Sequence, residues 1–177
     1  SSNGQVFSTL RELSDKVQEH ISLIFHRYIS VKKISMWINN AKVQAQDPFL
    51  EYPGSKTTIK KVRTIALRDS QGFERLVEVQ PFVLPFATDL TEKDKKLLGG
   101  IENLRTKQGF YIYRNMRLII WGTWFRLIKI QELNKLARVR VDIPNSLDSI
   151  WEIDVKKSTA SLPEVIKRNL VNIVEKT

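Results

Sequence analysis

The chain has 177 residues, a formal net charge of +10, no cysteine and two histidines. That length suits one well-buried domain, and 42% hydrophobic with 27% charged residues is the composition of a folded chain rather than a disordered one. The lack of cysteine excludes disulfides and thiolate-bound zinc and suits a reducing, cytoplasmic setting. No apolar run approaches the about 20 residues that cross a bilayer, so no membrane partner is expected, while the positive charge favours anionic partners such as nucleotide phosphate and nucleic acid.

Phe7 to Ile29 carries Leu10, Leu13, Val17, Ile21, Ile24 and Tyr28 at helical spacing, with Ser8 placed to cap an amphipathic helix. Leu23 and Phe25 widen the apolar stripe, the pattern of a helix that touches two surfaces. His20 and His26 fall on different faces of this helix and make a poor metal pair. Ile34, Met36 and Ile38 then alternate with polar neighbours and predict a strand. Asn39-Asn40 marks a tight turn into a short return strand through Val43. Thr57 to Leu67 and Phe73 to Val83 predict a hairpin around Asp69-Ser70-Gln71-Gly72. Pro81 and Pro85 place the end of its second strand at a sheet edge or exit, because proline cannot donate to a ladder.

Thr91 is the expected cap of a short helix, EKDKKLL, that Gly99-Gly100 stops. Phe110 to Tyr113 and Leu118 to Trp121 predict a tight hairpin through Arg114-Asn115-Met116-Arg117, broken by Gly122. Strict alternation puts Phe110, Ile112, Leu118 and Ile120 on one face and Tyr111, Tyr113 and Arg117 on the other. Trp124 to Ile130 fits a short helix or irregular structure equally. Arg138 to Ile143 is a strand, and Pro163, with Ser161 as cap, opens a last helix with Val165, Leu170, Ile173 and Val174 on its apolar face. The order of elements predicts an α+β fold: a mixed, mainly antiparallel sheet with helices packed on one face.

Two constellations carry chemistry. Trp151 to Ser158, WEIDVKKS, follows a strand and presents Lys156 and Lys157, either of which can reach a phosphate as a point charge. Asp142, Asp154 and Lys156 also fit the loose carboxylate-and-lysine pattern of Mg²⁺-dependent nucleases, an alternative that the basic charge would suit. Arg114 and Arg117, interleaved with aromatic residues, are candidate nucleic-acid contacts, weighed against a plain hairpin with one face in the core. No glycine-rich phosphate loop of the GxGxxG or GxxxxGK(S/T) kind is present.

Four segments in order, IFHRYIS (24–30), INNAKVQAQDPF (38–49), QGFYIYRNMRLI (108–119) and RVRVDIPNSLDSIWEIDVKKSTASLP (138–163), resemble the region after the ATP-binding core in GHKL ATPases. That superfamily includes the ATPase component of gyrase, MutL and a heat-shock chaperone. The nearest likeness is to MORC-like and bacterial chaperone-like ATP-binding proteins. The resemblance implies a transducer domain with the ribosomal-protein-like fold of the second domain of gyrase and MutL. Residues 1–30 would be a connector helix from an N-terminal ATP-binding domain, and residues 31–177 the transducer itself. In that family the transducer lends one lysine to the γ-phosphate from a pattern like F-x-x-Q-T-K. Laid on WEIDVKK, Trp151 takes the aromatic place, Asp154 replaces the glutamine and Lys156 falls on the lysine, with Lys157 the neighbouring choice. The resemblance further implies that ATP and Mg²⁺ bind mainly to the other domain and that this chain alone hydrolyses nothing. The intact protein would be an ATPase, and a homodimer, DNA, a client protein and a partner enzyme all stand open as its partners.

Overall fold

The structure, a computed structural model, describes residues 2–127, 136–147 and 164–175. The first helix begins earlier than its periodicity indicates and is interrupted: α1 spans Ser2–Ile24, Phe25 leaves helical geometry at ψ 16°, and α2 spans His26–Ser30. Backbone bonds from Phe25 N to Ile21 O and from Ile29 N to Phe25 O, both 3.0 Å, keep the two pieces joined. The strand expected from Ile34 shortens to β1 (Trp37–Ile38), which turns back into β2 (Ala41–Lys42). Asn39 and Asn40 both adopt positive φ, 47° and 61°, as a two-residue primed turn requires.

The expected first strand of the next hairpin divides into β3 (Thr58–Ile59) and β4 (Arg63–Arg68), both antiparallel to β5 (Glu74–Val83). Asp69 closes the β4–β5 turn by accepting from the backbone N–H groups of Gln71 and Phe73, each at 2.9 Å. Thr91 and Asp94 form a reciprocal capping box on α3 (Glu92–Leu97), and Gly99 follows it at φ 74°. α4 (Asn103–Thr106) leads into β6 (Gly109–Arg114) and β7 (Arg117–Thr123), and β8 (Ala137–Ile143) and α5 (Glu164–Glu175) complete the described elements.

The fold is α+β, with a six-stranded, mainly antiparallel sheet in the order β3-β5-β8-β6-β7 and β4 also paired to β5. β6 and β8 are its parallel pair. Three sequence expectations need correction here. Pro81 is not at an edge: it pairs with Val139 of β8 in the interior of the sheet. Proline is tolerated there because its other side faces residues 60–62, the gap between β3 and β4, where only its carbonyl is used, accepting from Lys60 N at 3.0 Å. Gly122 does not end β7, which runs through it at φ 66° to Thr123. Leu118 lies with the tyrosines, because the β6–β7 register shifts between the pairs Ile112↔Ile120 and Tyr113↔Leu118. The extra residue of that bulge moves Leu118 onto the face of Tyr113 while Ile120 stays with Ile112.

One face of the sheet is apolar. Val77, Val79, Phe110, Ile112, Val139, Val141 and Ile143 pack against Ile166, Leu170 and Ile173 of α5. Each fully buried Leu or Ile side chain there contributes about 1.5–3 kcal/mol. Ile166 joins this face beyond the residues expected of α5. The opposite face carries Phe82, Tyr111, Tyr113 and Leu118 beneath Phe49 and Leu23 of α1, so helices contact both faces of the sheet rather than one. A third cluster, Leu50, Leu84, Leu90, Leu98 and Leu104, anchors α3 and α4 at one end. Among the described residues no helix is long and apolar enough to cross a membrane.

Candidate functional site

β8 is the strand from which the site is built. Its sequence ARVRVDI alternates, so Val139, Val141 and Ile143 enter the apolar core while Arg138, Arg140 and Asp142 line the opposite face. Cross-strand register places Phe82, Gln80 and Glu78 of β5 beside those three, and Tyr111 and Tyr113 of β6 beside Arg140 and Asp142. The result is a charged layer inside the fold, covered by α2 and by the loop around Phe49.

Each charge in the layer is held. Arg27 of α2 donates to Asp142 Oδ1, and Arg140 Nε stands 3.7 Å from Asp142 Oδ2. Arg140 also donates to Glu51 Oε2 at 2.6 Å and to Gln80 Oε1, and its guanidinium lies 5.1 Å from the centre of the Phe82 ring. Arg27 lies 4.9 Å from the Tyr113 ring centre, a cation–π contact. His26 Nε2 and the Tyr113 hydroxyl share a 2.7 Å hydrogen bond, and Tyr28 donates its hydroxyl to Asn115 O at 2.6 Å. Burial, reinforced by the positive charges of Arg27 and Arg140, lowers the His26 pKa to about 3, so its imidazole is neutral. Burial likewise pushes the Tyr113 phenol well above its ordinary range. α2 is therefore fastened to β8 by an ion pair and to the β6–β7 hairpin by two hydrogen bonds.

Arg138 is the most enclosed member, 1% exposed. Its Nη1 donates to Pro48 O at 2.5 Å and its Nη2 to Asn103 O at 2.6 Å, and its guanidinium lies 5.4 Å from the Tyr111 ring centre. Its Nε has no hydrogen-bond partner among the described residues.

The sequence candidates fall differently. Lys156 and Lys157 lie outside the described residues, as do Trp151, Asp154, Ser161 and Pro163. The last described anchor before them is Leu147, which is fully buried in the main core and donates its N–H to Pro144 O at 3.1 Å. Asp142 is occupied by two arginines and does not stand open as a metal ligand. Asp47, Asp69 and Asp94 accept hydrogen bonds from local backbone N–H groups. No group of three or more His, Cys, Asp or Glu residues able to hold a metal occurs among the described residues.

Arg114 and Arg117 flank the two-residue turn Asn115-Met116 at an exposed corner, with Arg117 5.7 Å from the Phe25 ring centre. The tyrosines beside them cannot stack on bases. Tyr111 and Tyr113 are buried, and the Tyr111 hydroxyl donates to Lys107 O at 2.6 Å. The arginines of β8 and their partners Arg27 and Glu51 are absent from the expected site. Their signal was present as charges at every second position of a strand whose other positions are valine and isoleucine.

The second exposed feature is α1. Val6, Leu10, Leu13 and Val17 follow one another at helical spacing and are 43–57% exposed, with Phe7 beside them at 72%. Burial begins only toward the C-terminal end of the helix, at Ser22 and Ile24. Comparison with protein-family models, with curated proteins and with solved structures finds no match for this chain.

Proposed function

We propose that the chain is the transducer domain of a GHKL-type ATPase, coupling ATP binding and hydrolysis in an N-terminal ATP-binding domain to movement. The observation that carries this reading is α1, a helix with an uncovered apolar stripe that continues into α2, which is fastened to the sheet. An exposed stripe of this size calls for a covering surface, and the family resemblance supplies one in the ATP-binding domain. α1 and α2 together, within residues 1–30, are the connector in this reading.

The layer of Arg27 and Asp142 gives the connector a firm grip on β8, the strand that precedes Lys156 and Lys157 in the sequence. A lysine there offsets the charge of the γ-phosphate, with Lys156 the first choice and Lys157 the second. Loss of that phosphate on hydrolysis releases the lysine, and the strain passes through β8 and α2 to α1 as a rigid-body rotation. ATP and Mg²⁺ belong to the other domain, and the chain alone is inert as an ATPase. The basic charge leaves DNA as a partner of the intact machine, and nucleotide-driven homodimerisation is the expected form of its movement. The cytoplasm is the setting proposed for it. The nuclease alternative gains no geometric support, because Asp142 is neutralised by its arginines.

The test is turnover by a longer chain that includes the ATP-binding domain. Lys156→Ala is expected to lower its ATP hydrolysis strongly, and Leu10→Glu with Leu13→Glu to uncouple it without unfolding this domain. Normal hydrolysis in both variants would overturn the proposal. Mg²⁺-dependent DNA cleavage by the present chain, lost in Asp154→Ala, would establish the alternative instead.

A further inference from the structure

A cleft of about 260 Å³ opens between α1 and the sheet, beside the buried Arg138. Leu23, Leu98, Tyr111 and Trp121 contribute its apolar and aromatic lining. His20, also in the lining, stands edge-on to Trp121 with ring centres 6.0 Å apart. Lys16 of α1 and Lys107, just before β6, bring ammonium groups to the lining, and Glu19 is the carboxylate present there. Three basic side chains, Lys16, Lys107 and Arg138, and one acidic one, Glu19, thus line the cleft.

Arg138 makes this imbalance more than a surface property. A buried guanidinium is costly unless a countercharge offsets it. Its terminal nitrogens reach only neutral carbonyls, its Nε reaches nothing, and no carboxylate lies within ion-pair distance of it among the described residues. Asp47 attracts it at longer range, beyond ion-pair distance, and accepts the N–H groups of Phe49 at 3.0 Å and Glu51 at 2.5 Å. Arg138 is itself among the residues that line the adjoining cleft.

We propose that this cleft binds a small organic anion: a planar apolar body against Trp121 and Leu23, with a carboxylate or phosphate head between Lys16, Lys107 and the field of Arg138. Such a ligand bridges α1 to the sheet at a point independent of the α2 fastening, and its binding does not depend on the transducer reading.

The experiment titrates the chain with phenyl phosphate, benzoate, inorganic phosphate and benzyl alcohol, by calorimetry and by amide and indole NMR shifts. At least one aryl anion is expected to saturate, moving the Trp121 indole and Lys107 amide signals, and the better of the two identifies the head group. Inorganic phosphate and benzyl alcohol, each lacking one half of the recognition, should bind at least about tenfold more weakly. Replacing both exposed cations, Lys16→Ala with Lys107→Ala, should weaken the aryl anion by about tenfold or more while leaving the thermal transition in place. The proposal is overturned if neither aryl anion saturates, if benzyl alcohol or inorganic phosphate binds as tightly, or if the double variant keeps full affinity.

Discussion

The imidazole of His26 and the hydroxyl of Tyr113, 87 positions apart in sequence, meet at 2.7 Å beneath the arginines of the charged layer. Their burial makes the imidazole a proton acceptor of last resort, with its pKa lowered from 6.5 to about 3. The unfolded chain therefore takes up this proton before the folded one does. Stability is insensitive to His26 above about pH 7 and falls as pH drops through 6.5 toward 3, by up to about 1.4 kcal/mol per pH unit. His26→Gln offers the Tyr113 hydroxyl a polar neighbour that does not titrate. Urea midpoints compared at pH 7, 5 and 4 should show a shallower acid decline in the variant, and equal slopes would refute the assignment.

Arg27 and Asp142 should be coupled energetically. Their side chains are 20% and 26% exposed, so solvent screens the pair only in part. A double-mutant cycle with Arg27→Met and Asp142→Asn should return a coupling of about 1–2 kcal/mol. Asp142→Asn is expected to be the more damaging single change, because it leaves Arg27 and Arg140 facing each other with less negative charge between them. A coupling near zero in denaturation experiments would mean that α2 is held by other contacts.

Two glycines with positive φ should respond unequally to alanine. At Gly109, φ 112°, a Cβ would meet the backbone carbonyl carbon and oxygen of Thr123 at 2.6 Å. At Gly72, φ 84°, it would meet nothing within 4 Å. Gly72→Ala then carries only conformational strain, about 1–2 kcal/mol, whereas Gly109→Ala adds displacement of β7 and should cost at least about 3 kcal/mol. Chemical denaturation of the two variants ranks them, and equal losses would place the β6–β7 contact elsewhere.

Leucines at the two ends of the chain provide a further contrast. Leu170 is fully buried under the sheet and Leu10 is 56% exposed. Leu170→Ala should cost about 2–5 kcal/mol by transfer and cavity terms. Leu10→Ala should stay within about 0.5 kcal/mol for this chain alone. A large loss at Leu10 would mean that α1 is already covered.

Local rules made much of the fold legible. Thr91 named a helix start, Asn39-Asn40 named a turn that needs positive φ, Arg114-Asn115-Met116-Arg117 named a hairpin turn, and the alternation in β8 named a strand. What escaped depends on pairing partners, which a linear pattern does not specify. Pro81 reads as an edge residue until β3 and β4 are seen to part opposite it. Leu118 changes face because of one extra residue in β7. The charged layer was hidden for a similar reason. Arg138, Arg140 and Asp142 have the polarity of a solvated face, and only the arrival of Arg27, Glu51 and the Pro48 carbonyl from distant positions turns that face inward.

The placement of β8 bears on how the chain reaches its native state. The last strand along the described sequence is the one inserted between β5 and β6. Before residue 137 has left the ribosome, the β4–β5 and β6–β7 hairpins are separate ribbons, each with an unpaired inner edge. Their union awaits a segment synthesised late, so nucleation is non-local and slow for a protein of this size. Nascent or truncated forms ending short of β8 would be the natural clients of holding chaperones.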